Sequence, residues 1–265
     1  MTPYLSICAT YRWEGPYLRE WVAFHKLAGV ERFFLYDNSS DDEHLEALAP
    51  YIEEGTVDVL HWPRYPGQVQ GYAHCIEVHR QDSRWIAFVD IDEFLFSPEG
   101  LRLPEVLERY ERWPGVGVTR VTFGASGHER KPTGLVVESY TRRLAVPNQR
   151  SSVKSVVDPG RATRPLNAHV FEYTEGHAVD ENEQPLEGGF AMTDSCEHLR
   201  INHYYTKSDE ERMLKYSRPQ AGGRMREDAS FPGRALREDR RFGVPDEVIL
   251  PYVPALRTEL ERVSR

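Results

Sequence analysis

The hydrophobic positions of the first ninety residues alternate between two periods. Tyr4-Leu5-Ser6-Ile7-Cys8-Ala9 is an apolar run ending in polar Thr10-Tyr11-Arg12, a buried strand that feeds a loop. Pro16 opens a helical pattern with Leu18, Trp21, Val22 and His25 on one face, and Gly29 closes it. A second strand, Arg32–Tyr36, ends at Asp37-Asn38-Ser39. Ser40-Asp41-Asp42-Glu43 has the spacing of a capping box, and Leu45, Leu48, Ala49 and Ile52 predict the apolar face of the helix after it, ending at Gly55. Thr56–His61 reads as a third strand, residues 71–82 as a helix, and Trp85–Val89 as a fully apolar fourth strand delivering Asp90-Ile91-Asp92-Glu93. Strand–helix alternation of this kind predicts right-handed crossovers and a mostly parallel sheet with helices on both faces. Ligands of such sheets sit beyond the carboxyl ends of the strands, where Thr10–Glu14, Asp37–Ser39 and Asp90–Glu93 converge.

After residue 114 the pattern becomes β-rich and irregular. Val116–Phe123 and Leu135–Arg142 are predicted strands flanking the loop Gly124–His128, followed by short strands at Ser151–Val157 and His169–Tyr173. Pro159–Pro165 and Glu175–Gly189 read as irregular. Leu199–Tyr205 is a predicted strand, and Ser208-Asp209-Glu210-Glu211 caps a helix reaching about Tyr216. The expected division is a domain over 1–218, with one half at about 1–114 and another at about 115–218. An Arg-rich extension over 219–265 is expected to fold over a ligand of the second half.

At 265 residues, 40% apolar and 28% charged, the chain can bury a core without staples. The net charge of −9 argues against affinity for nucleic acid through phosphate neutralisation. Residues 200–265 reverse the sign, with 14 basic against 11 acidic side chains. That face suits an anionic ligand or a membrane surface, and simple solvation is the plainer reading. No stretch approaches the roughly 20 apolar residues of a membrane helix, and the N-terminus lacks the pattern of a secretory signal. Three widely spaced cysteines make no disulfide framework. A reducing, cytoplasmic location is expected.

Asp90-x-Asp92 is the sharpest candidate for chemistry. At the end of an extended strand residues i and i+2 face one way, so both carboxylates can enter one site while Ile91 packs inward. Adjacent carboxylates suit Mg²⁺ or Mn²⁺, with phosphate oxygens and water completing the sphere. A solvated acidic turn is the alternative; the apolar runs on either side argue against it. Asp37 stands where doubly wound folds place an acid on a ribose or base, yet no Gly-x-Gly-x-x-Gly follows the first strand. An acidic strand-two end and a D-x-D without a glycine cradle point to a nucleoside-diphosphate sugar.

Six ordered blocks then resemble glycosyltransferase family 92. They are Glu20-Trp21-x-x-x-His25-x-x-x-Gly29-Val30, Tyr36-Asp37-Asn38-x-Ser40-x-Asp42 and Trp85-Ile86-Ala87-Phe88-x-Asp90-Ile91-Asp92-Glu93-Phe94, then Phe123-Gly124-x-Ser126-Gly127-His128, Lys154-Ser155 and Asn202-His203-Tyr204-x-x-Lys207-Ser208-x-Glu210-Glu211. The resemblance covers about residues 4–216 and implies a nucleotide-sugar half at about 1–114, an acceptor half at about 115–218 and an extension over 219–265 packed on or near the acceptor site. It implies a GT-A fold related to family 2-like glycosyltransferases, a Mn²⁺-assisted UDP-sugar donor, and inverting transfer of a hexose, often galactose, to a glycan. The loop after the first strand departs from the family's Lys-Asn-Glu, reading Tyr11-Arg12-Trp13-Glu14.

Within that frame His203 is the expected third metal ligand beside Asp90 and Asp92, a core histidine being the alternative. Cys196, His198 and His203 fit no structural zinc spacing. Thr10, Arg12, Glu14, Asp37 and Asp90 are expected on the nucleotide. Lys154 and Lys207 stand out among five lysines against 28 arginines as partners for the diphosphate, though each is as readily an ordinary surface lysine. Asp194, Glu197 and His128 are the candidate bases, and Trp13, Tyr72 and Trp113 candidate sugar-stacking rings. A two-metal phosphoesterase and a silent nucleotide-sugar or glycan-binding module are the competing functions.

Overall fold

Apolar residues at every position of a strand require cover on both faces, and the chain supplies it. A computed structural model describes residues 2–145, 152–193, 195–217 and 242–264. Its first half runs β1 (Leu5–Tyr11), α1 (Gly15–Ala28), β2 (Arg32–Asp37), α2 (His44–Glu53), β3 (Val57–His61), α3 (Gln68–Val78) and β4 (Trp85–Phe88). These four strands are parallel, in the order β3-β2-β1-β4 that doubly wound folds use. Leu5, Ile7 and Ala9 face one apolar core with α1 and α2, while Cys8 faces a second core with Tyr72, Cys75 and Ile76 of α3.

The second half brings β5 (Glu93–Phe96), α4 (Leu103–Leu107), β6 (Gly115–Thr122), α5 (Val136–Ser139), β7 (Arg142–Leu144), β8 (Val153–Val157), β9 (Ala162–Pro165), β10 (Phe171–Tyr173), β11 (Arg200–His203), α6 (Asp209–Tyr216), β12 (Phe242–Pro245) and α7 (Val253–Arg262). Four of these strands extend the sheet to eight, ordered β3-β2-β1-β4-β8-β6-β11-β5. The α/β class is as expected, and the sheet changes character midway. β8 enters antiparallel to both β4 and β6, and β5 antiparallel to β11. Residues 242–264 belong to the same body: Ile249, Leu256 and Val263 join the core of α1, and Lys26 meets Glu259 at 3.3 Å. The rest of the expected extension, 219–241, lies outside the described residues. Among the described residues no helix is long and apolar enough to cross a membrane.

Local expectations fail where tertiary partners intervene. Ser40–Glu43 forms no capping box: Ser40 Oγ accepts the Trp13 N–H at 3.0 Å, and α2 starts at His44. Its buried face is His44, Leu48 and Tyr51, leaving Leu45 and Ile52 exposed, because two amphipathic rings outcompete the aliphatic stripe. The strand expected at Leu135–Arg142 begins as α5, whose first amides Val136 and Val137 donate to the Glu20 carboxylate at 2.9 and 3.1 Å. Ala162–Pro165, expected to be irregular, pairs with β10.

Candidate functional site

β4 stops at Phe88, so Asp90-Ile91-Asp92 occupies a turn rather than an extended strand end. α1 fixes that turn from below. The Trp21 indole N–H donates to the carbonyls of Asp90 (3.2 Å) and Glu93 (2.8 Å). His25 holds Trp21 in turn: Nδ1 donates to the Trp21 carbonyl at 2.8 Å, and Nε2 accepts the Leu95 N–H at 3.0 Å. Burial drives the His25 pKa down to about 3, so the ring is neutral. From the other side the Tyr204 N–H donates to the Asp92 carbonyl at 2.8 Å, and Ile91 packs inward at 3% exposure.

The two carboxylates have different neighbours. Asp90 Oδ1 accepts from Gln68 Nε2 (2.6 Å), Lys154 Nζ (3.0 Å) and the Tyr72 hydroxyl (3.3 Å). Burial alone would raise its pKa, and the Lys154 ammonium outweighs that and keeps it below the usual range. Lys154 is itself 1% exposed and shared with Glu93 Oε2 at 3.7 Å. It neutralises acids beneath the turn, and the diphosphate contact expected of it does not fit so buried an ammonium. Asp92 faces His203 Nε2 at 3.7 Å and ion-pairs through the same Oδ2 with Lys215. Here too burial raises the pKa while Lys215 and His203 carry it well below the ordinary value. The register that sets His203 of β11 opposite Glu93 of β5 is what brings the imidazole to the turn.

Asp92 opens into a cleft of about 300 Å³ between the start of α1 and α6. Trp13, Glu14 and Tyr17 line one wall, Tyr205, Lys207 and Lys215 another, with Lys131 and Glu210 at the rim. Lys207 Nζ lies 3.3 Å from the Tyr17 ring centroid and 3.9 Å from Glu14, and burial lowers its pKa. Three of the chain's five lysines line this cleft and a fourth lies under Asp90. Sequence reasoning missed Lys131 and Lys215: the scarcity of lysine was the only signal in the chain, and their clustering appears only in the fold.

The neighbouring strand ends hold the other expected nucleotide residues. Asp37, 5% exposed, accepts the Ser40 N–H at 2.8 Å and faces His61 Nδ1 at 3.2 Å. Register places Thr10 beside Tyr36, and Tyr11 beside Asp37. The buried Thr10 Oγ1 has no hydrogen-bond partner among the described residues, and a Cβ at Gly71 would come within 2.9 Å of it. Arg12 stacks its guanidinium 3.9 Å over the Trp13 ring.

Other expectations are not brought together. Glu197 is exposed, its N–H bonded to Glu181 at 2.8 Å, beyond the end of β11 opposite His203. β11 alone spans about 10 Å. His198 pairs with Glu99 on that same side, away from His203. His128 is held by the Ser139 carbonyl at 3.0 Å and by the edge of Tyr140. Asp194 lies outside the described residues.

Among the described residues no group of three His, Cys, Asp or Glu side chains forms a complete cation site. The donor chemistry still fits a hard divalent cation at Asp92 and His203, because Mg²⁺ and Mn²⁺ accept one or two protein ligands plus phosphate oxygens and water. Asp90, the other expected ligand, has Oδ1 bonded by Gln68, Lys154 and Tyr72 while 32% of its side chain stays exposed.

A sequence profile described as glycosyltransferase family 92 matches residues 4–220. A family 92 protein of Oryza sativa subsp. japonica is 36% identical over 205 residues, covering 76% of this chain and 33% of its own. Galactan beta-1,4-galactosyltransferase GALS3 of Arabidopsis thaliana is 29% identical over 186 residues, covering 64% of this chain and 36% of its own. This chain thus spans about a third of the length of these curated relatives. Among solved structures, S. aureus TarS 1-349 in complex with UDP superposes with a TM-score of 0.41 at 11% identity, over 59% of this chain and 47% of that one. The blocks that converge on the Asp90–Asp92 turn fall inside the profile match, and the chain belongs to glycosyltransferase family 92.

Proposed function

We propose that the chain transfers a hexose, galactose, from a UDP-sugar to a glycan or glycoconjugate acceptor with inversion at the anomeric carbon, in the presence of Mn²⁺ or Mg²⁺. The observation that carries this is the Asp92 carboxylate, facing His203 and Lys215 at the mouth of a cleft beyond the strand ends. Kinship with a protein named as a galactosyltransferase supports galactose as the sugar.

Asp92 and His203 would hold the cation, which when bound supplies positive charge to the departing diphosphate. Lys215 and Lys207 add ammonium groups on the same wall of the cleft, and Thr10 and Asp37 face the nucleoside. Acceptor deprotonation falls to a carboxylate facing the cleft. Glu211 is bonded by the Tyr17 and Tyr140 hydroxyls at 2.6 and 2.5 Å and serves the helix cap, and the position of Glu14 and Glu210 on the cleft wall supports one of them in this role. A two-metal phosphoesterase would use Asp90 as a bridging ligand through both oxygens; Lys154, Gln68 and Tyr72 all bond its Oδ1 instead.

Release of UDP from UDP-galactose with Mn²⁺ present, followed for the wild type and Asp92→Asn, tests the reading. The substitution should slow release by about 100-fold or more with thermal unfolding little changed. An undiminished rate in a folded variant overturns it.

A further inference from the structure

Three ammonium groups lie near the paired acids, and two of them are fixed by their surroundings. Lys154 is 1% exposed between Asp90 and Glu93, and Lys207 is seated on the Tyr17 ring beside Glu14. Lys215 is placed differently. It reaches from the last turn of α6 with 30% of its side chain exposed, donates to the Tyr205 carbonyl at 3.0 Å, and lies 4.8 Å from the Tyr205 ring centroid. Its ion pair is with Asp92 Oδ2, the oxygen that His203 Nε2 faces at 3.7 Å. A dication between Asp92 and His203 needs that oxygen, and two cations on one oxygen repel. The lysine stem has four rotatable carbons, so its ammonium can leave Asp92 without any movement of α6. The cleft it would swing into is the one Asp92 opens onto.

We propose that Lys215 is an exchange residue: it ion-pairs with Asp92 in the ligand-free protein and transfers to the diphosphate of the nucleotide when a divalent cation takes its place on Asp92. This rests on the reading that cation and diphosphate meet at Asp92. In the free protein the ammonium occupies the cation's ligand and weakens cation binding. With nucleotide present it gains a phosphate partner, so the same side chain strengthens the ternary complex. Cation and UDP therefore raise each other's affinity, by equal factors because the linkage is reciprocal. A lysine that only stabilised the fold would change neither affinity, and one that served only as a phosphate ligand would leave binding of the cation alone unchanged.

Free Mn²⁺ measured by electron paramagnetic resonance, with and without UDP, separates these cases. The wild type should bind Mn²⁺ weakly alone and more tightly with UDP. Lys215→Met should bind Mn²⁺ alone about tenfold more tightly than the wild type, while the enhancement by UDP shrinks by about tenfold. Lys215→Gln is a second neutral variant expected to behave as Lys215→Met, and Lys215→Arg should stay close to the wild type. Neutral variants that bind Mn²⁺ alone no more tightly than the wild type overturn the exchange and leave the cation site standing. Asp92→Asn binding Mn²⁺ as well as the wild type overturns both the exchange and the functional reading beneath it.

Discussion

His25 has both ring nitrogens used inside the core, and its protonation is linked to the stability of the helix beneath the turn. Burial lowers its pKa from 6.5 to about 3, so below pH 6.5 the unfolded chain takes up a proton that the folded chain refuses. The stability this histidine gives is full above pH 6.5 and is lost on acidification, at about 1.4 kcal/mol per pH unit. Glu20 acts in the opposite sense: burial raises its pKa from 4.5 to about 7, so its contribution is full below 4.5 and lost as pH rises toward 7. Comparing variants isolates the histidine. Between pH 7.5 and pH 5, denaturant unfolding should show wild type losing about 2 kcal/mol more than His25→Gln; parallel losses would contradict it. At this scale the proximity of Asp92 and His203 was legible only through the ordered family blocks, since the i, i+2 strand-end spacing expected of Asp90 and Asp92 gives way to a turn. Lys215 was not, since its partner Asp92 lies 123 residues away and only the fold joins them.

Among the elements, α1 does most to shape the site, since its Trp21 and His25 hold the Asp90–Asp92 turn. Its end depends on Gly29, which adopts φ 107° and donates to the Lys26 carbonyl at 3.0 Å. A Cβ there would come within 2.6 Å of Pro104 Cδ at the start of α4. Gly29→Ala should therefore cost about 1–3 kcal/mol in denaturant unfolding, from left-handed backbone strain and overpacking together. An unchanged midpoint would show that the helix end tolerates a side chain. α1 and α6 were readable because their signals are local: Pro16 and Gly29 for one, the Ser208–Glu211 box for the other, where Ser208 Oγ accepts the Glu211 N–H at 3.2 Å. α5 was not, because the Glu20 carboxylate that starts it comes from a helix 116 residues earlier.

Across the whole molecule, the parallel half of the sheet was legible from strand–helix alternation, which forces each crossover locally. The insertion of β8 between β4 and β6, and of β11 beside β5, was not. Those pairings join residues far apart in the chain, as Ile86 of β4 with Val157 of β8 and Glu93 of β5 with His203 of β11. The C-terminal helix shows the same dependence: no helix was expected within the extension over 219–265, and α7 forms on α1, with Leu256 fully buried in the main core. Leu256→Ala should lower global stability by about 2–4 kcal/mol. A loss under 1 kcal/mol would mean that α7 contributes little to the core.

The site draws on the turn after β4, the end of β11 and the last turn of α6, and it has a single centre, the Asp92 carboxylate. Diffraction from crystals soaked with Mn²⁺ and UDP, collected at the manganese absorption edge, probes that centre directly. An anomalous peak is expected between Asp92 and His203 Nε2, with a diphosphate on its open side and Lys215 turned from the carboxylate to the phosphate. Uridine diphosphate bound elsewhere, with no peak at Asp92 and the Lys215 ion pair intact, would contradict that expectation.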